Sequence, residues 1–410
     1  MGAYGRVERM PQIITDPKRI DLILDRGVIT SILPDKAAFR ELLLSGKRIR
    51  MYIGADPTST ALHLSHAKNY LLLEDFRQLG HEIIVLFGSF TARIGDPSGK
   101  DGARQPLSEM QVKENVTDWL RQIHPLMGFD DADNSPIVRY NDEWLAKLSF
   151  ADVMELAHHF TVQQMLERDM FERRLSERKP IYLHEFFYPL MQGYDSVALD
   201  VDVEVGGSDQ TFNMLAGRTL LRKLKNKEKH VVVVNLMENP KTGELMSKSR
   251  GSGVFLGTSP PEFFGSVMAL PDEMIPLLLL NLTRITLEEI EETLSLPPRD
   301  AKMRAAFEIT KLFHTETGAR EAEDSFVRTF RGGGAPEEAE ALAVPSGTAL
   351  LNALSPRFGS KMELRRLVSA GAVAKVGGGK IEDPNYRLTE EAVLRIGKHR
   401  FVKILISPDA

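Results

Sequence analysis

One stretch, Tyr52 to Lys100, constrains the fold more than any other part of the chain. It reads as a short strand (Met51 to Gly54), a turn through Asp56-Pro57-Thr58, a helix entered near Ala61 or Leu62, and a second strand, Ile83 to Phe87. Leu71, Leu72, Phe76 and Leu79 mark one face of the helix, and Gly80 ends it as a C′ glycine often does. The second strand is apolar throughout, the pattern of a strand covered on both faces. In an open parallel sheet, ligands bind at the strand ends where such a unit collects its polar residues. His63-Leu64-Ser65-His66 falls at the helix start, where unpaired backbone N–H groups and the helix dipole favour an anion. Taken alone, such a pair of histidines more often packs or caps than binds a phosphate.

At 410 residues the chain is too long for one core, so two or three domains are expected. The absence of cysteine excludes disulfides, cysteine nucleophiles and thiolate zinc sites, and leaves the redox compartment open. A net charge of −5 means that a nucleic-acid partner needs a local basic patch. Arg6, Glu8, Arg9 and Pro11 interrupt the N-terminus, so no signal peptide is visible. The longest aliphatic block, Ile275 to Leu280, is far too short to span a membrane. The expectation is a cytoplasmic protein without membrane contact.

Residues 12 to 48 read as helices, with apolar clusters at Ile20 to Leu24 and Phe39 to Leu44. Gln111 to Met127 is amphipathic, with Val112, Val116, Trp119, Leu120 and Ile123 at helical spacing. Pro136 to Tyr140 reads as a strand, and residues 101 to 180 as an insertion between two halves of a sheet. Glu185 to Tyr194 reads as a helix, Val201 to Val205 as a strand, and Gly206 to Gln210 as a turn into a helix ending near Leu224. Val231 to Leu236 is a further buried strand. This β-α-β, insertion, α-β-α-β order predicts an α/β catalytic domain built on a doubly wound, Rossmann-like, mostly parallel sheet. We place it at residues 1–255, followed by an all-helical domain at 256–335 and a linker at 336–347. A small α+β module, 348–410, closes the chain. Residues 356–410 hold 11 Lys and Arg against 6 Asp and Glu, a basic patch in an acidic chain.

Five motifs follow one another in order: Asp56-Pro57-Thr58 before His63-Leu-Ser-His66; Gly95-Asp96-Pro97-Ser98-Gly99-Lys100; Tyr188-Pro-Leu-Met-Gln192-Gly-Tyr-Asp195; Gly206-Gly207-Ser208-Asp209-Gln210; and Leu245-Met246-Ser247-Lys248-Ser249. Each is weak alone. Together, over about residues 20 to 406, they resemble the tyrosyl-tRNA synthetases, class I aminoacyl-tRNA synthetases. The likeness is to a bacterial branch with Phe212 and Asn213, and no tryptophan, after the glutamine. Pro298-Arg-Asp-Ala-Lys302 and the helix after it look like that family's anticodon-binding domain. The basic module looks like an S-four-type RNA-binding domain.

The implied reaction joins two negative groups, as a tyrosine carboxylate attacks the α-phosphorus of ATP. The site must hold them in line and stabilise charge on the departing pyrophosphate. Thr58, His63 and His66 can donate from one side, and Lys100, Arg104 and Lys248 from the other, with Lys248 on a loop that closes over the phosphates. By resemblance, Asp96, Tyr188, Gln192 and Gln210 meet the tyrosine, chiefly its ammonium, and Tyr52 and Asp195 hold its phenol. Tyr188, Gln192 and Asp195 share one helix face by their i, i+4, i+7 spacing. Gly54, Asp56, Ser65, Gly207, Asp209, Leu236, Met237, Met246, Ser247 and Lys248 are expected around ATP and the adenylate. Mg²⁺ is expected to travel with ATP, held mainly by phosphates, with no dedicated protein metal site. Lys361, Arg365 and Arg366 are expected to meet RNA phosphates of tRNA(Tyr), and the 101–180 region to form a homodimer interface.

The sequence departs from the family pattern twice. Ser65 stands where glycine lets the nucleotide base approach closely. Leu245 stands where a first lysine would face the pyrophosphate. Three rivals follow: the tryptophanyl enzyme of the same fold, a nucleotidyltransferase sharing the HxxH start, and a catalytically weakened relative acting as an RNA-binding protein. The phenol acceptors Tyr52 and Asp195 speak against the first, the helical and basic C-terminal parts against the second, and the retained acidic, histidine and lysine positions against the third.

Overall fold

The computed structural model of the chain describes residues 11–95, 107–167, 169–246, 253–331, 340–376, 378–397 and 400–407. Two compact units are distinguished: residues 1–259 with 266–315, and residues 260–265 with 316–410.

The first unit is built on a six-stranded sheet: β1 (Ile29–Leu33), β2 (Arg50–Ala55), β3 (Glu82–Phe87), β4 (Ile137–Tyr140), β5 (Val203–Gly207) and β6 (His230–Val234). Their spatial order is β1-β6-β5-β2-β3-β4. All neighbours are parallel except β1, which pairs antiparallel with β6. The doubly wound parallel sheet is therefore present, with one antiparallel edge strand. The order reverses between β2 and β5, the switch point at which open α/β sheets bind ligands.

Two expectations are corrected here. Residues 12 to 48 are not helical throughout: β1 lies between the helices Pro17–Asp25 and Lys36–Leu44. Its Ile-Thr-Ser-Ile-Leu run mixes polar and apolar residues, as an edge strand with one covered face does, so its length and pattern resemble a helix connection. Residues 101 to 180 are not wholly an insertion, because β4 lies inside that span and forms the opposite sheet edge.

Apolar side chains of β2, β3, β5 and β6 are buried on both faces, among them Met51, Ile84, Leu86, Val203, Val231 and Val233. The helix Leu64–Gln78 crosses from β2 to β3 with Leu71, Leu72, Leu73 and Phe76 inside. His63 is its N-cap, and the helix begins two or three residues later than the sequence predicts, because Pro57 to Leu62 stay in a loop. Asn115, Trp119 and Gln122, on the helix Glu109–Ile123, hold that loop by donating to the carbonyls of Pro57 (2.7 Å), Ser59 (2.5 Å) and Thr60 (2.8 Å). The helices Phe187–Leu199 and Thr211–Lys225 pack closely at Gly193, where a Cβ would come 3.2 Å from the backbone of Ala216 and Gly217.

Later helices include Ile275–Leu282 and Leu287–Leu294, and a long one, Pro298–Arg331, that breaks at His314 and Thr315. Within the first unit, Arg26 ties the N-terminal segment to the carbonyls of Leu280, Thr283 and Ile285 at 2.9–3.0 Å.

In the second unit, β7 (Glu340–Pro345) pairs parallel with a last strand, Arg400–Ser407, which continues through Ala392–Ile396 to Val373–Lys375. Residues 340 to 345, assigned from composition to a linker, are thus a strand of this module. Its core is apolar: Leu350, Leu354, Leu364, Val368, Val373, Leu394, Ile396, Val402 and Ile404. Lys361, Arg365 and Arg366 project from the exposed side of the helix Lys361–Ser369, opposite Leu364 and Val368.

Candidate active site

A cavity of about 280 Å³ opens at the sheet switch point. It is lined from β2 and its turn by Gly54, Asp56 and Thr58, from the helix Phe187–Leu199 by Tyr188, Gln192 and Asp195, and from the turn after β5 by Asp209 and Gln210. Residues from three separate motifs therefore meet in one place. The cavity is near the lower end of the size range of small-molecule sites. Of the other residues singled out in the sequence, Asp96, Lys100, Arg104, Ser247 and Lys248 lie outside the described residues. Met246 is buried, and its N–H donates to the Met237 carbonyl at 2.8 Å. Leu236 packs beside Gly207, where a Cβ would meet its Cδ2 at 3.1 Å.

Asp56 is fixed from two sides. The Thr91 hydroxyl donates to Oδ1 at 2.7 Å, and the Tyr188 hydroxyl donates to Oδ2 at 2.9 Å. Gly88 makes that clasp possible, since a Cβ there would sit 1.9 Å from Asp56 Oδ1. Because its proton goes to Asp56, the Tyr188 oxygen can meet any further partner only as an acceptor.

Asp195 is 3% exposed. Burial raises its carboxyl well above the usual range, opposed by hydrogen bonds from Trp144 Nε1 (2.7 Å) and Asn141 Nδ2 (3.3 Å). Asn141 also donates to Thr91 Oγ1 at 3.0 Å, so one amide links the supports of Asp195 and Asp56. Tyr52 lies deeper, with no exposed surface, and its hydroxyl meets Ser196 Oγ at 2.9 Å. Burial and nearby Glu204 hold its phenol in the protonated form.

At the helix start, the backbone N–H of His63 donates to His66 Nδ1 at 3.3 Å. His66 Nδ1 is therefore the acceptor, and Nε2 carries the proton. Ser65 Oγ lies 2.6 Å from His63 Nδ1 and holds that ring as well. Burial lowers His63 to about 4; for His66, burial and then His63 lower it to about 3. Both are neutral donors at pH 7. Lys68, one turn further, is lowered to about 7 by burial, with Asp209 opposing.

Sequence reasoning overlooked Thr91, Asn141 and Trp144, which position the two carboxylates, and Ser196, Glu204, Asn213 and Lys229 beneath the cavity. A signal existed for some of them. Asn141 directly follows the last residue of a parallel strand, and Glu204 is an acid between two valines of a buried one.

The same architecture is found among known proteins. Residues 44–331 match the model of the tRNA synthetases class I (W and Y), and the chain belongs to that family. It is 40% identical over 412 residues to the tyrosine–tRNA ligase of Carboxydothermus hydrogenoformans, covering 96% of this chain and 99% of that one. It is 38% identical over 392 residues to the tyrosine–tRNA ligase of Thermotoga maritima, covering 93% and 96%. Among solved structures, the C-terminally truncated mitochondrial tyrosyl-tRNA synthetase of Coccidioides posadasii superposes with a TM-score of 0.60 at 25% identity, covering 75% of this chain and 91% of that one.

Proposed function

We propose that this enzyme is a tyrosine–tRNA ligase. It activates L-tyrosine with ATP to tyrosyl-adenylate and pyrophosphate, then transfers the tyrosyl group to the 3′ end of tRNA(Tyr). The observation that carries this reading is the convergence of Asp56, Tyr188, Gln192, Asp195 and Gln210 on one cavity at the switch point, beside a helix start bearing two neutral imidazoles.

The tyrosine phenol points at Asp195, whose buried, doubly donated carboxylate has no use for a phenylalanine ring. Losing that contact leaves polar groups unpaired, and tyrosine–tRNA ligases are themselves the standard illustration of the resulting discrimination. The ammonium meets the oxygens of Tyr188 and Gln192, together with Asp96. ATP lies across the turn after β5, with its ribose toward Asp209 and its phosphates toward Thr58, His63 and His66. Neutral Nε2–H groups donate to the phosphoryl oxygens where charge develops. Lys100, Arg104 and Lys248 complete the charge balance. Mg²⁺ enters with ATP; the oxygen donors of the cavity, Asp209 included, are of the hard type it accepts.

The helices after Ser259 face the anticodon arm, and Lys361, Arg365 and Arg366 hold tRNA phosphates. The chain works as a homodimer. Phe150, Met154 and Val162, in the span assigned to the interface, are 79%, 53% and 67% exposed, a surface that burial against a second copy would cover. Light scattering that returned a monomer at micromolar concentration would end that part of the proposal. ATP and tRNA as substrates fit a cytoplasmic protein. Among the described residues no single helix is long and apolar enough to cross a membrane.

The test is tyrosine-dependent exchange of labelled pyrophosphate into ATP, with tryptophan and phenylalanine as controls. Exchange with tyrosine alone supports the reading. Exchange with tryptophan would overturn the role of Asp195. No exchange by a folded, tRNA-binding protein would favour an RNA-binding relative that Ser65 and Leu245 have weakened.

A further inference from the structure

A buried charge pair that no substrate can touch lies beneath the cavity. Lys229 precedes β6 and has no exposed surface; Glu204, in β5, is 2% exposed. The Lys229 ammonium donates to Glu204 Oε2 and, at 2.8 Å, to Ser196 Oγ. The chain makes room for it: a Cβ at Gly217 would come 2.6 Å from both Lys229 Nζ and Ser196 Oγ. A buried ion pair adds little net stability over an apolar pair of equal volume. Its effect is better sought in the direction it imposes on its neighbours.

That direction can be followed atom by atom. An ionised carboxylate only accepts. Glu204 Oε1 receives Gln192 Nε2 at 3.1 Å, so the Gln192 amide must turn its NH₂ downward and its carbonyl oxygen away. That oxygen then accepts from Asn213 Nδ2 at 2.9 Å. From the other end, Asp209 receives Gln210 Nε2 at 3.1 Å, which turns the Gln210 carbonyl toward the same Asn213 Nδ2 at 3.0 Å. Asn213 keeps its NH₂ on these two oxygens although its own Oδ1 is buried without a partner. Ser196 gives its proton to Glu204 Oε2 at 3.3 Å, so the Tyr52 hydroxyl must donate to Ser196. Tyr52 and Glu204 are cross-strand neighbours on β2 and β5, which places the pair under the switch point itself.

We propose that Glu204 and Lys229 are positioning residues that set the hydrogen-bond polarity of the tyrosine pocket. With Lys229 holding Glu204 as a carboxylate, Gln192 offers the substrate ammonium a carbonyl oxygen and not an N–H. This rests on the reading of the cavity as a tyrosine site. In Glu204→Gln, Lys229 takes the new amide oxygen and leaves an NH₂ facing Gln192, which reverses the Gln192 amide and aims its own NH₂ at the ammonium.

The experiment compares full-length wild type, Glu204→Gln and the double variant Glu204→Gln/Lys229→Met, which carries no buried charge and so remains foldable if the single variant does not. Pyrophosphate exchange gives KM for tyrosine and for ATP. Competitive inhibition by 3-(4-hydroxyphenyl)propionate, which is tyrosine without its ammonium, gives the second readout. We expect KM for tyrosine to rise about ten- to hundredfold, the size of a charged hydrogen bond lost or reversed. KM for ATP and inhibition by the propionate should change less than about twofold. Equal weakening of tyrosine and propionate would overturn the proposal in favour of a purely structural pair, and so would an unchanged KM for tyrosine. Absence of tyrosine-dependent exchange in the wild type would overturn the tyrosine reading itself, and the proposal with it.

Discussion

The floor of the cavity and the core of the C-terminal module bury opposite kinds of side chain. In the cavity wall and beneath it lie Asp195 and then Tyr52, Ser196, Glu204, Asn213 and Lys229, none more than 3% exposed. The C-terminal core is all aliphatic or aromatic, and its charges Lys361, Arg365 and Arg366 stay in water. Burying polar groups is costly unless each is paired, and once paired they are rigid and strongly directional. A pocket that must tell one amino acid from another gains from that rigidity. A surface that meets RNA phosphates needs only positive charge at the right spacing, and keeps its cations hydrated and salt-sensitive. On the function proposed above, the two regions divide specificity from attraction.

The largest expected break in this contrast is at Asp195. Asp195→Asn should lower kcat/KM for tyrosine in pyrophosphate exchange by roughly 10³-fold, while tRNA binding changes little. A loss below about tenfold would mean that the buried carboxylate does not read the phenol. Next in size is a cavity in the other core. Leu364→Ala should cost the C-terminal module about 3 kcal/mol in denaturant unfolding, with tyrosine-dependent exchange retained. A parallel loss of exchange would show that the two regions are not energetically separate.

Acid sharpens the contrast from the side of the site. His63 and His66 titrate near 4 and near 3 in the folded chain, against 6.5 as ordinary histidines. On acidification the unfolded chain therefore takes up these protons first. The associated stability is complete well above pH 6.5 and is lost as pH falls toward 4 for His63 and toward 3 for His66, about 1 kcal/mol per imidazole by pH 5.5. Urea unfolding at pH 7 and 5.5, for wild type and His66→Gln, measures it; an equal drop in both would remove His66 from the account. The last effect is expected at the surface. Replacing Lys361, Arg365 and Arg366 together by alanine should weaken tRNA binding about tenfold at moderate salt and reduce the slope of log affinity against log salt by about 2–3. An unchanged slope would mean that these cations do not touch phosphate.

Much of this was legible in the chain because strands and helices with one dominant period announce themselves. The apolar runs of β3 and β6 and the helix between β2 and β3 were readable, as were the motifs that meet at Asp56, Tyr188, Gln192, Asp195 and Gln210. What escaped was set by tertiary pairing. β1 is an edge strand whose partner, β6, is about 200 residues away, so no local turn signals it. β7 lies beside an acidic, glycine-rich stretch, and its partner is the last strand of the chain. Asn141, Trp144 and Lys229 act through neighbours from other elements, a relation that spacing along the sequence does not encode.

Ser65 carries a consequence for inhibitor selectivity. Its hydroxyl, 2.6 Å from His63 Nδ1, occupies the turn where a glycine would leave bare backbone. An adenylate mimic shaped to press a flat, bulky ring against a glycine would meet this oxygen first. A mimic carrying a small donor at that edge would find a hydroxyl oxygen to accept it. One atom at the third position of a four-residue motif would thus let a compound separate this enzyme from relatives that share its fold and its reaction.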